Sequence, residues 1–282
     1  MSNDLHTGWR YAIVCLGMLL SGGACVLAIG FITSPRGAVG PTMLQAESPV
    51  AAIMAMVGCF AVATAIAMVV SRLISAGVGL FILGSGLGVV ALRSATIEEI
   101  AFGGGSLGLL AGETAIWAAL ILAATIAVFA VAGPEPQQGE SRFGRLSGWR
   151  SRTALVHVAS GLVVVPVVWL IARAPMQGQV LTAVLVGGMG VGLAARLLAP
   201  QAPPVLAYAA PCVFGAIAQL IGAVTTDNPL DDALVSGSIS AWCLPRPIDY
   251  AAGSLMGVAM GAGWARSFLH EDEDEPAAAP GD

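Results

Sequence analysis

The chain has 282 residues, 57% hydrophobic and only 10% charged, with a net charge of −5. Soluble proteins carry about a quarter charged residues, so this chain lacks the material for a water-facing skin. All twelve basic residues are arginine, no basic patch is available for nucleic acid, and six of the seventeen acids crowd the last twelve residues.

Eight apolar segments follow one another, near residues 10–32, 50–71, 73–92, 108–132, 153–172, 178–198, 204–224 and 248–266. Roughly 20 helical residues cover a ~30 Å hydrocarbon slab. The pattern predicts an all-α polytopic bundle of about eight spanning helices, with the lipid bilayer as its main partner. The first segment, Arg10 and then Tyr11 to Ile32, imitates a signal peptide, but its apolar run exceeds the usual core of about 7–15 residues. Gly22, Gly23 and Ala24 before Cys25 lack a lipobox leucine. It is read as the first span.

Between spans three and four, Thr96 and Glu99 have the spacing of a capping box, and between spans seven and eight Asn228-Pro229 is a helix start signal. Each of these loops is therefore expected to hold a short helix. The polar linker Gly133 to Arg152 divides the spans four and four. Pro166 and Pro211 fall inside spans five and seven, where a missing N–H is expected to kink the helix.

The halves share landmarks in the same order. Gly8-Trp9-Arg10 matches Gly148-Trp149-Arg150, Ser48-Pro49 matches Ala174-Pro175, and Arg72-Leu73 matches Arg196-Leu197. Glu98-Glu99 before Gly105-Ser106 matches Asp231-Asp232 before Gly237-Ser238, and Glu113 and Asp249 open the last span of each half. This predicts a duplication: residues 1–132 as one four-helix repeat, 133–152 as a cytoplasmic linker, 153–268 as a second repeat and 269–282 as an acidic disordered tail. An even number of spans per unit keeps the two units parallel, about an axis along the membrane normal.

Arginine placement sets the orientation. With the N-terminus inside, Arg10, Arg72, Arg142, Arg145, Arg150, Arg152, Arg196 and Arg266 are cytoplasmic, against Arg36, Arg93, Arg173 and Arg246 outside. Both termini are thus expected in the cytoplasm of a bacterial-type inner membrane.

Four polar residues are solute-binding candidates. Glu113 and Asp249 are acids in membrane segments, where a charge is costly and marks function by default; a carboxylate early in a helix is also stabilised by the macrodipole, which is the structural reading. Gln219 can bond across helices, as a solute ligand or as glue. Histidine has a reference pKa of ~6.5, so His157 could relay protons, but no second histidine accompanies it. Glycine stripes (Gly253, Gly257 and Gly261; Gly187, Gly188, Gly190 and Gly192) are read first as close helix packing.

Cys15, Cys25, Cys59 and Cys212 lie in apolar segments and Cys243 in a loop, with no metal-ligand spacing. Gly104 to Gly108 spells G-x-S-x-G, but a nucleophile elbow needs a sheet beneath it. The chain is read as non-enzymatic, with no cofactor and no metal. Two functions stay open: binding or passage of a small solute at the interface of two repeats, or a non-catalytic scaffold or accessory subunit. The latter would pack with a second copy or a membrane partner protein.

Overall fold

Apolar runs that cannot hold a polar face towards water satisfy their backbone internally, as helices. A computed structural model describes residues 2–132, 152–200, 202–226 and 228–270. In chain order the helices are α1 (Ser2–Ile29), α2 (Pro49–Leu73), α3 (Ala76–Arg93), α4 (Ile97–Phe102), α5 (Leu107–Val131), α6 (Arg152–Ser160), α7 (Val164–Ile171), α8 (Gln177–Leu198), α9 (Val205–Thr225), α10 (Leu230–Val235) and α11 (Pro247–His270). Most of the central linker, with Trp149, and the acidic tail fall outside the described residues.

Among the described residues, seven helices are long and apolar enough to cross a membrane, with α6 and α7 counting as one span, Arg152–Ile171. The protein is an integral membrane protein with an all-α polytopic bundle. Of the eight expected spans, the last is the exception. Helix α11 has 24 residues, enough for about 36 Å at 1.5 Å per residue, yet it lies outside the apolar set. Its position explains this: every residue from Cys243 to Val258 is buried by protein, against α8, α3, α9 and α5. A helix sheathed by other helices needs small residues rather than lipid-facing side chains. The peripheral helices show the opposite pattern, with Leu19, Leu27, Val50, Met54 and Val69 turned outward.

The short helices α4 and α10 form where expected and touch each other. Their starts differ from expectation. Thr96 precedes α4 without a side-chain cap, its hydroxyl donating to Glu98 at 3.1 Å, and Glu99 turns to Ser34 Oγ (2.5 Å) and Arg36 (3.5 Å). Pro229, rather than Asn228, precedes α10. Their ends are alike: Gly104 (φ 76°) and Gly237 (φ 68°) adopt the left-handed conformation. The next two amides then bond back in the same way, Gly104 to Ala101 and Gly105 to Ile100, Gly237 to Leu234 and Ser238 to Ala233. This double bond is a Schellman close, which a left-handed glycine makes accessible. Gly104 and Gly237 thus close their helices in the same way, whereas the sequence landmarks pair Gly105 with Gly237.

Pro166 is preceded by a 3₁₀ turn, Gly161–Val163, that separates α6 from α7, whereas α9 runs through Pro211 as one helix. The loop between α1 and α2 is no surface connector. It turns on a Thr33–Val39 bridge and buries Ile32, Ser34, Thr42, Met43 and Ala46 against the bundle end that also carries α4.

Candidate functional site

A buried loop presents amide N–H groups that water cannot reach, and each must find an acceptor. Glu113, two turns into α5, supplies it. Its carboxylate accepts the Met43 N–H at 2.9 and 3.0 Å to its two oxygens and the Leu44 N–H at 3.0 Å, while the residue is 2% exposed. Beside it lies a cavity of about 10 Å³, lined by Gly40, Thr42, Met43, Ser94, Glu113 and Trp117 among others.

Thr114 next to it reaches across to α9, its hydroxyl donating to Gln219 Oε1 at 2.7 Å. Gln219 in turn donates Nε2–H to the Pro245 carbonyl at 2.8 Å. The amide thus bridges α5 and the entry to α11, and both of its ends are occupied.

Asp249, fully buried in the first turn of α11, holds Arg246 in a two-pronged pair: Nε to Oδ2 at 2.8 Å and Nη2 to Oδ1 at 2.6 Å. The Arg246 amide also donates to Oδ2. The rest of the guanidinium turns to the end of α3, donating to the carbonyls of Ala91 (2.7 Å), Ser94 (2.9 Å) and Ala95. Those carbonyls are orphans of a helix C-terminus, where a cation is also favoured by the macrodipole. Arg246 was expected as an exposed arginine marking topology. It is 2% exposed, a buried strut between α11 and α3. The signal was present in the sequence, as opposite charges three residues apart at the mouth of an apolar segment.

Glu113, Gln219 and Asp249 therefore belong to one buried polar belt, linked through Thr114, Pro245 and Arg246. His157 does not join it. It sits buried in α6 beside the charge of Arg196 from α8. Ser160 donates its hydroxyl to the His157 carbonyl at 2.7 Å, not to the ring. Ser106, centre of the G-x-S-x-G letters, is the N-cap of α5 and accepts from the Leu109 amide at 3.3 Å.

The glycine stripes meet backbone. A Cβ at Gly257 would stand 2.2 Å from the Leu185 carbonyl oxygen, at Gly261 2.0 Å from that of Met189, and at Gly192 2.3 Å from that of Val258. Helices α8 and α11 are thus in main-chain contact over three turns, a spacing only glycine permits. On the other face, Gly84 of α3 lies against Leu255 and Met256. Neither a family model nor a curated protein nor a solved structure matches this chain.

Proposed function

We propose that the protein is a non-catalytic membrane scaffold or accessory subunit with a core that does not rearrange. One observation carries the reading: α11 is fastened on two sides at once. Arg246 ties its start to the end of α3, and the glycine contacts tie its length to α8. Alternating access works by rocking one bundle against another around a fixed site. Here a single helix spans the seam between residues 1–132 and 153–268, and the belt residues Glu113, Gln219 and Asp249 already hold protein partners.

The two segments are read as parallel repeats. What supports this is the order of elements, three long helices, a six-residue helix and a last long helix in each half. The last helix of each half also packs on the third of the other, α5 on α9 and α11 on α3. The N-terminus and C-terminus are assigned to the cytoplasm on the arginine count.

Purified protein in sealed vesicles tests the reading. Proton, potassium and small neutral-solute flux should match that of protein-free vesicles, with no change in Glu113→Gln or Asp249→Asn. Flux above that leak that falls in Glu113→Gln would instead establish the second reading, passage of a small solute between the repeats. The water-sized cavity beside Glu113, lined in part by Ile248 of the other half, favours that alternative.

A further inference from the structure

The cavity beside Glu113 has one feature that the loop-anchoring role does not use. The Trp117 side chain, 1% exposed, lines it with the carboxylate, one turn along α5. Its indole approaches the Glu113 carboxylate only loosely, and Nε1 has no acceptor within hydrogen-bond distance and angle. A buried donor without a well-made partner is costly, and Trp117 and Glu113 line the same cavity.

We propose that this cavity is a binding site for a single water molecule, held between the Trp117 indole and the Glu113 carboxylate. The volume sets the size of the ligand: about 10 Å³ is close to the ~10–15 Å³ that one water needs, and such a water needs two to four polar partners. Three are in place. Trp117 Nε1–H donates to the water oxygen. Thr42 lines the same cavity and accepts the Gln45 amide at 3.3 Å, so its hydroxyl hydrogen is left to donate as well. The water then gives a hydrogen to the carboxylate.

The charge pattern argues against a cation. Two backbone N–H groups already converge on the carboxylate, and Trp117 brings another donor group to the same cavity, so a cation would meet donors. Ser94 offers no competing ligand, since its hydroxyl donates to the Val90 carbonyl at 2.5 Å and its own carbonyl accepts from Arg246 and Gln177. The bound water completes the seat of the Gly40–Leu44 segment: it joins a loop hydroxyl and an α5 donor to the carboxylate that holds the loop.

Indole-¹⁵N labelling of the full chain in detergent provides the test, with the Trp117 signal assigned by its loss in Trp117→Phe. The expected result is a cross-relaxation peak between that indole proton and a long-lived water, unaffected by replacing sodium with potassium or choline. A density map fine enough to show waters should hold one peak within hydrogen-bond distance of Trp117 Nε1 and a Glu113 oxygen, absent in Trp117→Phe. An indole proton without water contact, a cation-dependent shift, or a map in which Nε1 bonds straight to the carboxylate would overturn the proposal. The wild-type map decides the matter even if Trp117→Phe does not fold.

Discussion

Arg246 and Asp249 show how a costly pair is kept inside a membrane protein. A buried ion pair is stable only when the remaining donors and acceptors are also satisfied, and here the guanidinium donors left over by Asp249 fall on the carbonyls that end α3. Removing one partner leaves the other charge stranded, at a cost of about 3–5 kcal/mol. Arg246→Ala and Asp249→Ala should each lower the thermal midpoint sharply, and the double variant should lose much less than the sum. Additive losses in such a cycle, measured by thermal unfolding in detergent, would show that the pair is not coupled. Glu113→Gln is a milder change. The amide keeps one acceptor oxygen but turns an NH₂ towards backbone N–H groups, which should cost about 1–3 kcal/mol and raise hydrogen exchange at Met43 and Leu44 first.

At the scale of elements, the α8–α11 contact is the most demanding. A methyl at Gly257 meets the Leu185 carbonyl at 2.2 Å, and neither backbone can yield without moving its helix. Gly257→Ala should destabilise by about 1–3 kcal/mol, the usual cost of overpacking. Gly23→Ala in α1, where nothing lies within 4 Å, should be neutral or slightly stabilising, since alanine is the better helix former. Equal midpoints for the two variants would remove the glycine seam as a source of rigidity. These helices were legible in the sequence because an apolar run of about twenty residues has few alternatives, and α4 and α10 were legible from the Thr96–Glu99 spacing and from Asn228-Pro229. The α1–α2 loop was not. Its pattern of Pro35, Gly37, Gly40 and Pro41 reads as an exposed turn, and only the distant Glu113 makes its burial affordable. Arg246 was misread for a related reason: an arginine that marks the outer side and a buried strut leave the same mark on a sequence until the end of α3 is seen beside it.

For the whole molecule, the crossed packing of α5 on α9 and α11 on α3 makes each half the complement of the other. If the halves are repeats, they are an interlocked pair rather than two beads on a string. Two separately expressed pieces, 1–140 and 141–282, should therefore co-purify when made in the same membrane. Asp249→Ala in the second piece should weaken their association by about tenfold or more. Pieces that each purify alone and never together would show that the chain is two independent bundles.

The long-range bonds also set a timetable for biogenesis. Met43 leaves the ribosome 70 residues ahead of the carboxylate that seats it, and Ala91 waits 155 residues for Arg246. The loop is thus met once α5 has been made, whereas the carbonyls at the end of α3 stay without Arg246 until residue 246 is synthesised, so a product stopped between the two carries a bare helix end. Sealing of that end of the bundle is therefore the later of the two events, tied to the arrival of Arg246 rather than to the making of α3 itself.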